Sequence, residues 1–167
     1  PGALKTVARY EWTEDCELRL TLTAESDAPT VLNLTNHAYF NLNGEGNGDI
    51  LGHILTLNAS EYLPTDQTQI PLGESEPVAG TPMDFVNGKP IGQDINADFE
   101  PLKIGKGYDH CWVIDGAEPG QLQFCAGLYA PESGRCLEIY TTQPGVQVYT
   151  GNWLSGCPAG KNGHIYE

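Results

Sequence analysis

The chain has 167 residues, the length of one domain. Eight Lys and Arg residues stand against 22 Asp and Glu residues, and the net charge of −14 makes nucleic acid and anionic lipid unfavourable partners. The sequence lacks an apolar run near the roughly 20 residues that a membrane helix needs. We therefore predict a folded protein that binds neither nucleic acid nor membrane.

Turn residues are frequent and cysteines are scattered. The 20 glycines and 12 prolines predict many turns, and the five cysteines include no CxxC pair. This cysteine usage is typical of neither a disulfide framework nor a zinc ribbon, so we interpret the cysteines as buried thiols in a reducing, cytoplasmic compartment. The sequons at 33–35 and 58–60 would matter only in a secreted protein.

Alternation of apolar and polar residues predicts strands in chain order, beginning at 17–24, where every even position is apolar. Further strands are predicted at 32–42, 53–58, 110–114, 121–130, 135–142 and 146–150. The turn signal at 131–134 predicts a hairpin, and residues 43–49 predict a longer polar loop. An antiparallel all-β sandwich, large and incomplete in this chain, is the predicted class.

The Pro-rich stretch at about 61–102 differs from the rest, because it has few alternating runs. It predicts a long excursion over one rim of the fold, with at most a short helix near 91–99. We take residues 1–167 as a single, partial β-sandwich domain.

The predicted strand at 32–42 has a polar stripe. Alternation sends Thr35, His37 and Tyr39 to one face, opposite Leu34 and Phe40. Such a stripe is common on a strand that faces water. Its neutral donors and acceptors, together with an aromatic ring, equally suit a sugar site.

The stretch NLTNHAYFNL at 33–42 resembles the signature of the aldose 1-epimerases. The resemblance continues in family order over nearly the whole chain, through EYLPTD (61–66), IPLGE (70–74), VAGTPMDF (78–85), GYDH (107–110) and QPGVQVYTGN (143–152). It implies a large antiparallel β-sandwich with a concave sugar-binding face. The implied activity is interconversion of the α and β anomers of free hexoses, chiefly galactose and glucose, without a metal or organic cofactor.

The resemblance also assigns roles. His37 matches the proton donor to the ring oxygen, Tyr39 a neighbouring site residue, and Asp109 the carboxylate that binds sugar hydroxyls. Gln147 matches another hydroxyl ligand. By alternation His110 is turned away from the face of Asp109, and the two remaining histidines, His53 and His164, are expected at the surface. Neither an HExxH motif nor another metal-ligand spacing occurs in the sequence.

The resemblance places the base glutamate in a C-terminal motif that follows the Gly-Asn block. Glu138 precedes that block, and Glu167 lacks the expected surroundings, so we assign neither as the base. We expect the chain to belong to a longer protein, truncated at both ends, and to be poorly active alone. A catalytically silent carbohydrate-binding β-sandwich and a hexose-phosphate epimerase stay open as alternatives, although the latter would want a cluster of basic residues.

Overall fold

A computed structural model describes residues 1–166. It divides into two compact units, residues 1–39 and residues 40 onward, and nearly all of its regular structure is antiparallel sheet. The strands are β1 (Leu4–Trp12), β2 (Leu18–Ser26), β3 (Ile54–Leu57), β4 (Glu61–Leu63), β5 (Glu76–Pro77), β6 (Lys89–Pro90), β7 (Asp109–Val113), β8 (Gln123–Ala130), β9 (Arg135–Thr141) and β10 (Gly145–Tyr149). The helices within residues 1–166 are one α-helix, α1 (Glu100–Gly105), and two 3₁₀ turns, Ile91–Gln93 and Lys161–Gly163. None of these helices is long and apolar enough to cross a membrane.

The first unit contains a two-stranded hairpin, β1 with β2, in which Trp12 pairs with Leu18 and Leu4 with Ser26. A backbone hydrogen bond of 3.0 Å from Thr13 to Glu17 closes the turn. Alternation places every apolar side chain of the two strands except Val7 on one face and the charged side chains on the other. The predicted strand at 17–24 is confirmed, and the same alternation continues in β1, which was not predicted.

The predicted strand at 32–42 is wrong. Residues 29–41 form no strand, and Leu32 and Phe40 on the supposed apolar face are exposed. The local hydrogen bonds explain the failure, because the side chain of Asn36 accepts from the backbone N–H of Ala38 at 3.0 Å. Asn side chains that capture the nearby backbone compete with a sheet ladder, and Asn36 is the residue that interrupts the alternation.

The second unit contains two four-stranded sheets with strand orders β10-β7-β4-β5 and β6-β3-β8-β9. Both sheets contribute to one hydrophobic core, as Tyr62 and Trp112 of the first sheet and Leu57 and Cys125 of the second show. The predicted strands at 53–58, 110–114, 121–130, 135–142 and 146–150 are confirmed within two residues at each end. The turn at 131–134 joins β8 to β9 as predicted.

Large aromatic residues fill the core beneath β7. Trp112, Tyr108 and Phe85 are almost wholly buried, with ring centroids 5.1 to 6.2 Å apart. Their polar atoms are satisfied, since Trp112 Nε1 donates to the carbonyl of Met83 and the Tyr108 hydroxyl donates to that of Pro82, each at 3.0 Å. The aromatic cluster therefore gives β7 a fixed support on its inner side.

The Pro-rich stretch supplies more of the core than an excursion over a rim would. It contains β4, β5 and β6, and its residues Val78, Met83 and Phe85 are buried. The prediction of at most a short helix near 91–99 is confirmed by a 3₁₀ turn at Ile91–Gln93, and α1 begins just after this stretch, at Glu100.

Two expectations about burial are wrong. His53, expected at the surface, is only 1% exposed, and its Nε2 accepts a hydrogen bond from the backbone N–H of Leu42 at 3.0 Å. The five cysteines are unpaired, but only Cys125 is buried and Cys111 is half-buried. The other three lie in turns or on an edge strand, where little of the core can cover them: Cys16, Cys136 and Cys157.

His53 and His110 resist protonation because they are buried. Desolvation lowers the pKa of both imidazoles, and nearby carboxylates oppose this only partially. As pH falls below the unfolded value of about 6.5, the unfolded chain binds protons that the folded chain does not. The free energy of unfolding is therefore expected to decrease between about pH 7 and pH 5. Urea unfolding across this range measures it.

Replacing one of the two buried histidines isolates its contribution to this pH dependence. His53→Asn should reduce the slope of unfolding free energy against pH relative to the parent protein. An identical slope in His53→Asn and the parent would contradict the assignment. The lowered carboxylate pKa values of Asp66 and Asp98 act at lower pH, near and below about 4.

Candidate functional site

The face of the β10-β7-β4-β5 sheet that points away from the hydrophobic core carries polar side chains on β7 and β10. Along β7 the side chains alternate, with His110 and Trp112 buried and Asp109 and Cys111 half-exposed. In β10, Gln147 pairs with Cys111 and Tyr149 with Asp109, so these two side chains share the outer face. We call the surface formed by Asp109, Cys111, Gln147 and Tyr149 the Asp109 face.

Asp109 and Gln147 contact each other directly on this face. The Gln147 Nε2 amide donates to Asp109 Oδ1 at 2.8 Å, diagonally across the ladder. A carboxylate can accept about four hydrogen bonds, so this bond leaves Asp109 with capacity for further donors. Both residues were predicted as hydroxyl ligands, and the structure brings them together; their role toward sugar stays a prediction.

His110 has a structural role on the opposite side of β7. It is 2% exposed, and its Nδ1 accepts a hydrogen bond from the backbone N–H of Asp109 at 3.1 Å. Burial lowers its pKa, while the charge of Asp109 and a hydrogen bond to the backbone of Pro101 raise it. The prediction that alternation turns His110 away from the face of Asp109 is confirmed.

His37 and Tyr39 lie together in the first unit. Their rings meet edge to face, with centroids 5.4 Å apart and an interplanar angle of 83°. Both residues are exposed, Tyr39 by 58%. The strand alternation that predicted their shared face is absent, yet the i, i+2 spacing in a segment outside any strand still places the two rings in contact. The structure thus brings together two pairs of the predicted residues, one pair in each unit.

Two residues of the Asp109 face were not identified from the sequence. Tyr149 is half-buried beside Asp109, and its hydroxyl accepts from the backbone N–H of Trp153 at 2.9 Å. Cys111 lies directly across from Gln147, and burial raises the pKa of its thiol. The alternation that places Gln147 on this face also predicts Tyr149 there, so the signal was present in the sequence.

The other candidate carboxylates lie elsewhere. Glu138 is on β9, in the second sheet of the unit, where it accepts from the Tyr140 hydroxyl at 3.1 Å. Glu167 lies outside the described residues. Within residues 1–166, there is no group of three or more His, Cys, Asp or Glu side chains placed to hold a metal ion.

Comparison with known proteins decides the family. The sequence model of the family described as Aldose 1-epimerase matches residues 1–164. The chain belongs to the aldose 1-epimerase family. The family predicted from the motifs at 33–42, 107–110 and 143–152 is therefore confirmed. The antiparallel all-β class predicted from the sequence is confirmed as well.

Curated relatives of this chain come from mammals and bacteria. Galactose mutarotase of Homo sapiens is 43% identical over 166 residues, which cover 99% of this chain and 46% of the relative. Aldose 1-epimerase of Escherichia coli (strain K12) is 38% identical over 159 residues, covering 95% and 45%. The chain thus spans less than half the length of the relatives it matches.

Solved structures agree with this assignment. A galactose 1-epimerase from Lactobacillus acidophilus NCFM superimposes with a TM-score of 0.80 at 34% identity, over 93% of this chain and 43% of that one. An aldose epimerase homologue from C. elegans gives a TM-score of 0.84 at 29% identity, over 100% and 48%. Both similarities extend across almost the whole of this chain.

Proposed function

We propose that the protein containing this chain is an aldose 1-epimerase that interconverts the α and β anomers of free hexoses such as galactose and glucose. The observation that carries the proposal is the Asp109–Gln147 pair, hydrogen-bonded on an accessible sheet face of a chain in this family. Its carboxylate and amide match the hydroxyl groups of a neutral sugar in hydrogen-bonding chemistry.

The proposed reaction needs an acid and a base at two oxygens. His37 donates a proton to the ring oxygen as the bond between C1 and that oxygen breaks, and a carboxylate accepts the proton of the C1 hydroxyl. The electron pair left on the C1 oxygen forms the aldehyde; rotation about the C1–C2 bond and the reverse steps give the other anomer. Acid and base act together because either step alone would build an unstable charge.

Neutral hexoses fit the charge distribution better than hexose phosphates do. All three arginines donate to acceptors of their own unit: Arg9 to Glu11, Arg19 to Glu17, and Arg135 to the carbonyl of Leu42. Lys89 and Lys103 pair with Asp94 and Asp98. A net charge of −14 further disfavours an anionic substrate.

Polarimetry on freshly dissolved α-galactose tests the proposal. The protein that carries this chain should bring the rotation to its equilibrium value faster than the spontaneous reaction, in proportion to enzyme concentration, and α-glucose should respond in the same way. A saturable affinity for hexose without acceleration would favour the silent carbohydrate-binding alternative. The absence of both hexose binding and acceleration would refute both functions.

A polypeptide of these 167 residues alone is expected to accelerate mutarotation little. The family resemblance places the proton acceptor in a motif that these residues do not contain, so His37 would act without its base. Polarimetry with the purified 167-residue polypeptide, beside a thermal melt with and without galactose, measures the activity and the folding separately. Turnover at an enzymatic rate by a cooperatively folded polypeptide would show that one of its own carboxylates is the base.

We also infer a cytoplasmic location. All five cysteines are unpaired in the structure, and three of them are exposed, an arrangement that a reducing compartment preserves. Fractionation of the source cells, with detection of the protein by antibody, tests this location. Recovery of the protein outside the cell would refute it.

A further inference from the structure

A side-chain cluster joins the start of β7 to the end of β10, next to the Asp109 face. The Asn152 Nδ2 amide donates to the carbonyl oxygens of Gly105 and Tyr108, each at 2.9 Å. Its Oδ1 accepts from the Thr150 hydroxyl at 2.6 Å, and that hydroxyl oxygen accepts from the backbone N–H of Tyr108 at 3.1 Å. We call Gly105, Tyr108, Thr150 and Asn152 the Asn152 cluster.

The turn from α1 into β7 is shaped to admit this cluster. Lys106 ends the helix in the left-handed region, with φ of 57°, and Gly107 follows at φ of 135°. A Cβ atom on Gly107 would lie 2.5 Å from Asn152 Oδ1 and 2.9 Å from Thr150 Oγ1, closer than any real side chain allows. The close approach of the turn to Asn152 therefore requires glycine at position 107.

The position of the cluster relative to the ladder gives it an effect on the Asp109 face. Asp109 is the first residue of β7 and pairs with Tyr149, the last residue of β10. Hydrogen bonds at the end of a ladder open more readily than those in its middle. The Asp109–Tyr149 pair therefore depends on contacts made by the residues just beyond the ladder. The backbone N–H of Thr150 donates to the Tyr108 carbonyl at 3.1 Å, and the Asn152 cluster fixes the same carbonyl from the side.

We propose that Asn152, acting through Thr150, is a positioning residue that holds Asp109 and Gln147 in hydrogen-bonding register for substrate. This inference rests on the proposed hexose epimerase function for the meaning of that register. Asn152 and Thr150 both bond to the backbone of Tyr108, the residue before β7. They thereby fix where β7 begins relative to β10, and this register places Gln147 within 2.8 Å of Asp109.

Asn58 supplies a matched control. Its Nδ2 amide also donates to two backbone carbonyls, those of Asp115 and Phe124, each at 3.3 Å. Asp115 follows the far end of β7 from Asp109, so Asn58→Ala removes two similar hydrogen bonds without touching the start of that strand. A difference between Asn152→Ala and Asn58→Ala is therefore caused by where the hydrogen bonds are lost and not by a general loss of stability.

The experiment compares both variants in the protein that carries this chain. The first readout is the ¹⁵N–¹H NMR signal of the Gln147 side-chain amide, which reports its bond to Asp109 and needs no sugar. The second is the split between KM and kcat for α-galactose. Asn152→Ala should shift the amide signal and raise KM by about tenfold, as expected from weakening one hydrogen bond to a carboxylate, with kcat nearly unchanged. Asn58→Ala should change neither.

A second pair of variants decides the matter if Asn152→Ala fails to fold. Thr150→Val keeps the side-chain shape but removes the hydroxyl, whereas Thr150→Ser keeps the hydroxyl. We expect Thr150→Val to shift the Gln147 signal and raise KM, and Thr150→Ser to restore both. Equal behaviour of Asn152→Ala and Asn58→Ala, or of Thr150→Val and Thr150→Ser, would overturn the positioning role. If the parent protein neither binds nor turns over hexose, but Asn152→Ala still shifts the Gln147 signal, the positioning role is supported while the proposed function is refuted.

Discussion

Replacing His37 with Asn is expected to slow mutarotation by about 10²- to 10⁴-fold in the protein that carries this chain, the contribution typical of a positioned acid or base. Asn retains polarity and approximate size but cannot transfer a proton near neutral pH. The loss should lie in kcat, because the proton is transferred only in the chemical step. Polarimetry with α-galactose at several concentrations measures both kcat and KM.

The fold should tolerate this change. His37 is exposed and lies outside the strands of its unit, and a surface substitution away from buried contacts typically alters stability by no more than about 0.5 kcal/mol. His164→Asn is the matched control, since it removes an imidazole that is half-exposed and faces Glu45 at 3.7 Å. Near-normal turnover by His37→Asn, with His164→Asn unchanged, would remove His37 from the mechanism.

Strict alternation predicted β2, although neither face of β2 is buried. The runs that became β7 to β10 were recognised by their β-branched and aromatic residues and by the turn signals between them. In the structure, the antiparallel pairing of β10 with β7 brings Asp109 and Gln147 onto one face. The same pairing places Tyr149 beside them, although only Gln147 was identified in β10 from the sequence.

The failures have a common physical origin, because each depends on contacts that are distant in sequence or on side chains that bond to the backbone. The stretch at 32–42 alternates like a strand, but the Asn36 side chain accepts from the backbone N–H of Ala38 and the segment forms no ladder. His53 was expected at the surface, yet it is buried and accepts a hydrogen bond from Leu42 across the loop. The two-residue strands β5 and β6 are too short to leave any periodic signal.

Replacing Asp109 with Ala is expected to act mainly through binding and to raise KM for hexose by about 10- to 100-fold. A hydrogen bond to a charged group contributes about 1.5 to 3 kcal/mol, and about 1.4 kcal/mol corresponds to a factor of ten. The variant also removes the acceptor of the Gln147 amide, so both proposed sugar ligands on the Asp109 face are weakened together.

A control for charge is available on the same unit. Asp98→Ala also removes one negative charge, but the Asp98 side chain is 90% exposed and pairs with Lys103 and not with a residue of the Asp109 face. It should leave KM unchanged, which separates local hydrogen bonding from a change in the overall field. Asp109→Asn should lie between the parent and Asp109→Ala, because an amide oxygen still accepts from Gln147 but without the charge. If Asp109→Ala instead lost kcat with KM unchanged, Asp109 would act on the reacting groups, and the assignment of its carboxylate as a hydroxyl ligand would be wrong.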